Sequence, residues 1–222
     1  MRIVGGALGG RRFGRPQPGT RPTSDRVREA VASILEARGG FEDARVLELF
    51  AGTGAYGFEA LSRGAAHAVL VERERRAAAE IERSAAELGL APQVAVLRVD
   101  LLAPGAEARL PAGPFDRLFV DPPYAEIAGA IMLLHRLEAS GRIAPGALTV
   151  LEHRTSDATL VDRALSTNSR LEALSRYRYG DTSIVLLAGP PRDSAEAPDA
   201  DGRTSPDARA PTHEHRRTSP DP

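Results

Sequence analysis

Four consecutive residues, Asp121-Pro122-Pro123-Tyr124, combine groups that suit chemistry on an amino group attached to a nucleobase. They end an apolar segment, 115–121, that we predict to be a β-strand. Such an amine is a poor nucleophile because its lone pair is delocalised into the ring, and it donates two hydrogen bonds. The Asp121 carboxylate and the Pro122 carbonyl can accept both, while Tyr124 can stack on the base. The alternative is a strand-ending turn without chemistry, since consecutive prolines commonly break regular structure.

A glycine-rich turn is the second feature with chemical potential. Gly52, Gly54 and Gly57 follow a predicted strand, 45–50, and lead into a helix, an arrangement that lets backbone approach a nucleotide-like ligand. Tight turns also need glycine for steric reasons alone, so the spacing by itself does not establish a ligand site. Glu72 ends the next strand 20 residues after Gly52, where a carboxylate can hold ribose hydroxyls. Glu72 therefore suits either a nicotinamide dinucleotide or S-adenosylmethionine.

Glu48 distinguishes these two ligands. It lies in the first predicted strand, where its charge would repel the pyrophosphate of a dinucleotide. S-adenosylmethionine carries a sulfonium and an ammonium group, so it is the better match. After the third predicted strand, Asp100 can accept a hydrogen bond from an adenine amino group, and Leu101 can donate its backbone N–H. A simple cap on a helix or loop is an equal alternative for Asp100.

Strands alternate with helices from residue 44 onward, which predicts an α/β fold with a parallel sheet covered on both faces. The predicted strands are 45–50, 68–72, 93–98, 115–121 and 147–152, and the predicted helices are 55–63, 73–88 and 127–140. Gly64, Gly89 and Gly141 are expected to end these helices. Segments 171–177 and 182–187 are expected to form an antiparallel hairpin that closes the sheet edge.

Two further regions flank this core. Segments 2–4 and 11–13 surround several glycines and predict a small hairpin arm. A helix is expected from residues 23–25 through Ala37, with a buried stripe formed by Val27, Ala30, Val31, Ile34 and Leu35. Residues 190–222 contain seven prolines and no Val, Ile, Leu, Met or aromatic residue, so we expect a disordered tail. The expected organisation is an arm and helix at 1–40, one domain at 41–189 and the tail at 190–222.

The composition excludes several classes of chemistry. The chain has no cysteine, which excludes disulfides, thiolate zinc sites and cysteine nucleophiles, and no lysine, which excludes Schiff-base catalysis. The five histidines are scattered without metal-ligand spacing, so no metal is expected. Since no uncharged apolar run reaches 18 residues and the first residues lack the apolar core of a signal peptide, we expect a soluble, cytoplasmic protein with no membrane partner.

Taken together, these motifs resemble the bacterial RsmD-type methyltransferases, which modify a guanine N2 in small-subunit (16S) ribosomal RNA. The resemblance covers about residues 1–189 and rests on the segments 2–6, 21–29, 49–54, 59–65, 121–124 and 179–182. The Asp-Pro-Pro-Tyr element alone also resembles adenine-N6 and cytosine-N4 methyltransferases of DNA, so the N-terminal arm and the Ser62-Arg63-Gly64 segment support the narrower assignment. The chain departs from the family pattern at Glu48, where Asp is usual, at Tyr56 and Phe58, and in its tail.

The resemblance implies a Rossmann-like S-adenosylmethionine-dependent methyltransferase fold, with a seven-stranded, mostly parallel sheet, an antiparallel last strand and an N-terminal extension. The implied catalytic residues are Asp121, Pro122, Pro123 and Tyr124. The expected cofactor contacts are Glu48, Phe50, Gly52, Gly54, Glu72, Arg73, Asp100 and Leu101. The alternatives are an adenine-N6 methyltransferase on DNA or RNA, a nicotinamide-binding oxidoreductase, and a non-catalytic RNA-binding or assembly factor.

The N-terminal 28 residues contain seven arginines and one acidic residue, Asp25, as a ribosomal RNA substrate would require. The candidate RNA contacts are Arg11, Arg12, Arg15, Arg21 and Arg26. Arg21 or Arg26 could instead approach the methionine carboxylate of the cofactor or pair with Glu29, and a solvated basic face without a partner is a further alternative. The expected partner is small-subunit ribosomal RNA or an assembly particle that contains it, and nothing in the sequence requires more than a monomer.

Overall fold

Seven strands and five α-helices make up the fold in a computed structural model that describes residues 1–15, 23–167 and 170–191. The strands are β1 (Arg45–Leu49), β2 (His67–Val71), β3 (Val94–Leu97), β4 (Phe115–Val120), β5 (Ile143–Arg154), β6 (Glu172–Tyr179) and β7 (Thr182–Ala188). The helices are α1 (Asp25–Glu36), α2 (Ala55–Ser62), α3 (Arg75–Leu88), α4 (Ile127–Ala139) and α5 (Ala158–Leu165).

The strands form a single sheet in the order β3-β2-β1-β4-β5-β7-β6. Strands β1 to β5 are parallel, because α2, α3 and α4 return the chain across the sheet, and β7 runs antiparallel to both β5 and β6. This topology confirms the predicted seven-stranded, mostly parallel sheet and the terminal hairpin. The strand order reverses direction between β1 and β4, which is where ligands bind in open sheets of this kind.

Alternate residues of each strand supply the cores on the two faces of the sheet. Helices α1, α2 and α3 cover one face, where Val46, Phe119 and Val150 are buried. Helices α4 and α5 cover the other face, over Leu47 and Leu118. Side chains alternate between the two faces along each strand. Glu48 and Asp121, which follow Val46 and Phe119 by two residues, therefore lie on the α1–α3 face.

Several predicted boundaries were wrong by a few residues. Phe50, Glu72 and Asp121 were placed inside strands, but each lies one residue beyond the last ladder pair. Strand β5 begins at Ile143, four residues before the predicted start, with a register shift against β4. Helix α5 was not predicted, because only Val161 and Leu165 are buried along it and they give too short an apolar stripe to recognise.

The buried stripe of α1 also differs from the prediction. Helix α1 starts after Ser24, whose hydroxyl caps the helix by accepting a hydrogen bond from the Val27 N–H at 3.3 Å. The fully buried positions include Arg28 and Ala32, whereas Ala30 and Ile34 are only half-buried. The buried face is therefore rotated toward the side of the helix that carries Arg28.

The N-terminal hairpin is present but is not a free arm. Its two limbs meet at one antiparallel bridge, between Arg2 and Arg12, and it places Ile3 and Phe13 in the α1–α3 core. The Glu59 carboxylate of α2 accepts hydrogen bonds from the backbone N–H groups of Val4 and Gly5, at 2.7 and 2.8 Å. The hairpin is thus fixed to the domain through a buried acidic side chain.

The described residues, 1–15, 23–167 and 170–191, belong to one compact unit. Of the predicted tail, 190–222, the structure describes residues 190 and 191 alone, where Pro190 is buried and its carbonyl accepts the Gly146 N–H at 2.9 Å. The rest of the tail lies outside the described residues, and the division of the chain at residue 40 stays a prediction. In the part of the chain that the structure describes, no helix is both long and apolar enough to cross a membrane.

Candidate active site

The glycine turn lies at the carboxyl end of β1, beside the end of β4. Phe50 leaves the strand with a left-handed backbone (φ 59°), and Gly52 (φ 55°) and Gly54 (φ 73°) continue the turn into α2. A Cβ atom built on Gly52 would meet nothing within 4 Å, so this side of the turn is open. The turn therefore offers exposed backbone at the strand-order reversal, as a bound nucleoside requires.

Glu48 lies beneath the turn and is only 4% exposed. Its two carboxylate oxygens accept the N–H groups of Tyr56 and Gly57, at 3.2 and 2.8 Å, in the first turn of α2. Gly57 is required here, because a Cβ atom would stand 2.3 Å from a Leu70 methyl carbon and 3.0 Å from Glu48 Oε2. The third glycine of the motif thus serves close packing of helix on sheet rather than contact with a ligand.

Burial raises the pKa of Glu48 to about 8. The two backbone N–H donors and the positive charge of Arg28 oppose this rise, and the negative charge of Asp121 adds to it. A positively charged ligand above the turn would favour the ionised form of Glu48. The role of Glu48 in cofactor binding stays a prediction, and the structure places it below the turn rather than on the open surface.

Glu72 lies on the other side of the turn, after β2. One of its oxygens accepts the Gly52 N–H at 2.8 Å, and the other accepts the Glu74 N–H at 2.8 Å. Neighbouring Arg73 is exposed and forms an ion pair with Glu126, at 2.9 Å, in the segment after Tyr124. The turn and the Asp-Pro-Pro-Tyr segment are therefore linked by charged side chains.

Asp100 and Leu101 follow β3 at the same edge of the sheet. Asp100 is exposed, and its Oδ1 accepts the Leu102 N–H at 3.1 Å, whereas the side chain of Leu101 is buried. The hydrogen bond to the residue two positions on is the loop cap that was the alternative for Asp100. Asp100 is exposed and its second carboxylate oxygen can still accept a hydrogen bond, so the contact to a base stays a prediction.

Asp121 is the first residue after β4 and points to the α1–α3 side. Its Oδ2 accepts a hydrogen bond from the hydroxyl of Thr23 at 3.0 Å. Burial raises the pKa of Asp121 to about 6 although the Thr23 hydroxyl lowers it. Pro122 is buried and Pro123 is exposed, so the segment turns outward immediately after the carboxylate.

Glu152, near the end of β5, belongs to this site and was missed by sequence reasoning. Its carboxylate lies within 3.4 and 3.2 Å of the same Thr23 hydroxyl and accepts the Tyr56 hydroxyl at 3.2 Å. Burial raises the pKa of Glu152 to about 8, and the charge of Asp121 contributes to the rise. Two carboxylates that share one hydroxyl favour a single proton between them at neutral pH.

Tyr56 closes the base of this group. Its ring stacks on Phe119, with centroids 4.7 Å apart and an interplanar angle of 6°. The Glu48, Asp121 and Glu152 carboxylates all raise the pKa of Tyr56 further, although burial contributes most. We call Glu48, Asp121 and Glu152 the acidic cluster, and its carboxylates lie at the ends of the neighbouring strands β1, β4 and β5.

Arg28 is the second residue that sequence reasoning missed. It is fully buried, and its Nη2 donates to Asp25 at 2.6 Å and to the Arg2 carbonyl at 2.8 Å. The positive charge of Arg28 lowers the pKa of Glu48, so Arg28 balances part of the negative charge of the acidic cluster. An arginine in a basic segment gives no sequence signal for burial, because arginines are mostly exposed.

Tyr124 carries the expected aromatic ring beside Asp121. The guanidinium of Arg154, which ends β5, lies 4.2 Å from the centre of this ring. A cation over a tyrosine ring stabilises its orientation and covers one of its faces. The structure thus brings Asp121, Pro122 and Tyr124 to the glycine turn, as predicted, and adds Glu152 and Arg154 from the neighbouring strand.

The basic residues are less uniform than the sequence indicates. Arg12, Arg15 and Arg26 are exposed, but Arg11 donates to the Glu87 and Leu88 carbonyls, at 2.8 and 3.2 Å, at the end of α3. Arginine in that place stabilises the helix end. Arg21 lies outside the described residues. Contact of these arginines with RNA stays a prediction.

The residues that the structure describes contain no group of three or more His, Asp or Glu side chains placed to hold a metal ion. The acidic cluster consists of two buried carboxylates and the half-buried Asp121, which are bonded to hydroxyl and N–H donors rather than forming an open set of ligands.

Comparison with known proteins shows the family of this chain. A family model described as conserved hypothetical protein 95 matches residues 1–188. The ribosomal RNA small subunit methyltransferase D of Escherichia coli is 38% identical over 156 residues, which are 68% of this chain and 74% of that protein. Among solved structures, the Escherichia coli protein yhhF, provisionally described as a methyltransferase, is 30% identical, with a TM-score of 0.70 over 86% of this chain and 99% of that one.

A more distant structure shows the fold alone. The S-adenosylmethionine-dependent O-methyltransferase TM0748 of Thermotoga maritima is 12% identical, with a TM-score of 0.63 over 80% of this chain and 69% of that one. The sheet described above is therefore the Rossmann-like methyltransferase sheet. Together with the match over residues 1–188, these likenesses show that the chain belongs to the conserved hypothetical protein 95 family, the RsmD-type methyltransferases.

Proposed function

We propose that this chain transfers a methyl group from S-adenosylmethionine to the exocyclic N2 amine of a guanine in small-subunit ribosomal RNA. The observation that carries the proposal is the position of Asp121-Pro122-Pro123-Tyr124, which follows β4 directly beside the glycine turn after β1. Small-subunit ribosomal RNA is named as the substrate of the Escherichia coli relative, which spans most of this domain. The same family membership disfavours the nicotinamide-binding alternative.

S-adenosylmethionine fits the residues of the site. The open side of Gly52 gives backbone access, and Glu72 and Asp100 are exposed enough to contact the ribose and the adenine. Among the described residues, Arg28 balances part of the charge of the acidic cluster, and the remaining negative charge favours a cationic ligand over a pyrophosphate. When bound, this cofactor supplies an activated methyl group on a positively charged sulfur.

The chain's own residues hold and polarise the amine. The Asp121 carboxylate and the Pro122 carbonyl accept its two N–H groups, which turns the nitrogen lone pair toward the methyl donor. Positive charge develops on this nitrogen during transfer, and the half-buried carboxylate of Asp121 stabilises it. Tyr124, fixed by Arg154, supplies the surface on which the flipped base stacks.

The exposed arginines at the N-terminus supply the contacts to RNA in this proposal. Arg12, Arg15 and Arg26 lie on the same chain segment that leads through Thr23 to the acidic cluster. Neutralisation of phosphates by arginine dominates affinity for RNA. We propose further that the chain acts as a monomer in the cytoplasm, on the RNA alone or in an assembly particle.

Asp121→Ala separates chemistry from cofactor binding. The variant should lose methyl transfer to ribosomal RNA by at least about a hundredfold, because it removes the acceptor of the amine in the transition state. Calorimetry should show S-adenosylmethionine affinity within a few fold of the unmodified chain. A variant that loses cofactor affinity as much as transfer would contradict the amine-holding role, and one that retains transfer would contradict the proposed site.

A further inference from the structure

Glu152 and Asp121 occupy matching positions on neighbouring strands. Val120 pairs with Leu151 in the parallel ladder of β4 and β5, so the next residue of each strand stands side by side. Phe119 and Val150, one pair earlier on that face, are both buried on the α1–α3 side. The two carboxylates therefore point to the same side, at the strand ends where the Asp-Pro-Pro-Tyr segment begins.

One hydroxyl group lies between the two carboxylates. The Thr23 oxygen is 3.0 Å from Asp121 Oδ2 and 3.2 Å from Glu152 Oε2, so it is a polar atom within hydrogen-bonding distance of both. A hydroxyl has one hydrogen and can donate to only one of them at a time. Among the described residues no arginine forms an ion pair with Glu152. Within the described ranges of the chain, the hydroxyls of Thr23 and Tyr56 and the one shared proton are the donors to these two carboxylates, so the recess has more acceptor positions than donors.

The edge of a guanine base supplies the missing donors. Its N2 amine and its ring N1–H are adjacent and both donate, whereas the ring nitrogen beside the amine of adenine carries no hydrogen and accepts. We propose that Glu152 accepts the N1–H of the target guanine while Asp121 holds the N2 amine, so that Glu152 selects guanine. This inference rests on the proposed methyltransferase function and adds a specificity-determining residue to it.

The surroundings of Glu152 make such a contact selective. Glu152 is 6% exposed, and the hydroxyl of Tyr56 orients it from below. The two donors of the guanine edge favour the ionised forms of both carboxylates, so the pair releases its shared proton when guanine binds. A base with an acceptor at the N1 position would face the ionised Glu152 without a hydrogen, and unpaired buried polar groups carry a large penalty. The Thr23 hydroxyl holds the place between the carboxylates in the free protein, and the edge of the base replaces it.

The test compares two RNA substrates that carry the same exocyclic amine. One has guanine at the target position, and the other has 2,6-diaminopurine, which keeps the 2-amino group but has no hydrogen on N1. At pH 8.5, above the raised pKa of Glu152, the unmodified chain should methylate the guanine RNA with a kcat/KM about ten- to a hundredfold higher. Glu152→Gln presents an amide that can donate to N1, so its preference should fall below about threefold or reverse.

Two further variants keep the result interpretable. Glu152→Asp retains an acceptor and should keep the preference for guanine at a lower rate, even if Glu152→Gln proves unstable. Glu138→Gln alters a buried carboxylate on α4, on the opposite face of the sheet, and should keep the full preference. S-adenosylmethionine affinity, measured by calorimetry, should stay within a few fold in all three.

The outcomes separate this inference from the function on which it rests. Equal methylation of both RNAs by the unmodified chain, or a Glu152→Gln variant that keeps the full preference, would overturn the inference while leaving the methyltransferase intact. Failure of the unmodified chain to methylate the guanine RNA would overturn the proposed function itself.

Discussion

Replacement of Glu48 by Gln tests the electrostatic character of the acidic cluster through the free energy of unfolding. In the folded protein burial raises the pKa of Glu48 to about 8, from an ordinary value of 4.5. Between these two values the folded state holds a proton that the unfolded state has released. Protonation of Glu48 therefore adds to the free energy of unfolding. This contribution is complete below about pH 4.5 and is lost as the pH rises through about 8.

The expected size follows from this difference. The free energy of unfolding falls by about 1.4 kcal/mol per pH unit over the interval, so Glu48 alone should cost the unmodified protein about 4 kcal/mol between pH 5 and pH 8. Gln cannot ionise and should not show this loss. It places an NH₂ group against the Tyr56 or Gly57 N–H, however, which should cost about 1–3 kcal/mol at every pH. Glu48→Gln should therefore be less stable than the unmodified protein at pH 5 and more stable at pH 8.

Urea unfolding of both proteins at pH 5, 6, 7 and 8, without cofactor, measures the crossover. Other titrating groups are common to both proteins and largely cancel in the difference. Ile81→Val, a buried apolar change in the same core, should shift the stability by about 0.5–1.5 kcal/mol equally at every pH. Parallel curves for Glu48→Gln and the unmodified protein would refute the raised pKa of Glu48.

Three further predictions concern the parts around the site. Glu59→Ala should lower the free energy of unfolding, measured in urea, by about 3–5 kcal/mol, because it removes the buried acceptor of two hairpin N–H groups and of Arg63. Glu36→Ala removes an exposed carboxylate that also pairs with Arg63 and should cost under about 1 kcal/mol. Equal losses in the two variants would show that the hairpin is not held through Glu59. Arg12→Ala with Arg15→Ala should weaken RNA binding and reduce its salt slope by about 1–2, and an unchanged slope in filter binding would remove them from the RNA interface. Truncation after Pro191 keeps the hydrogen bond from the Gly146 N–H to the Pro190 carbonyl, so the melting temperature and transfer should be unchanged, and a drop in either would contradict a dispensable tail.

Sequence reasoning succeeded where a local pattern and the ligand chemistry agree. The strand, glycine and helix succession around Gly52 and Gly54 located the turn, and the chemistry of an amine located Asp121 and Tyr124. These features depend on residues close together in the chain, so spacing is enough to predict them. The same holds for the hairpin β6–β7, whose turn residues identify it.

The parts that escaped prediction depend on the tertiary arrangement. Glu152 lies in an apolar strand, and only the register of β4 against β5 brings it beside Asp121. Arg28 is buried because the hairpin and α1 enclose it, which a basic segment gives no reason to expect. The guanidinium of Arg11 lies against the end of α3, which is distant in sequence, and its contact with RNA stays a prediction. These positions depend on how the strands and helices pack against each other, which a local sequence pattern does not predict.

The most direct test of the central claim is methyl transfer from labelled S-adenosylmethionine to small ribosomal subunits that lack the modification, followed by digestion and identification of the labelled nucleoside. The proposed function predicts N2-methylguanosine as the labelled product, with no label when Asp121→Ala replaces the unmodified chain. Label in N6-methyladenosine, or no label despite measurable cofactor binding, would contradict it.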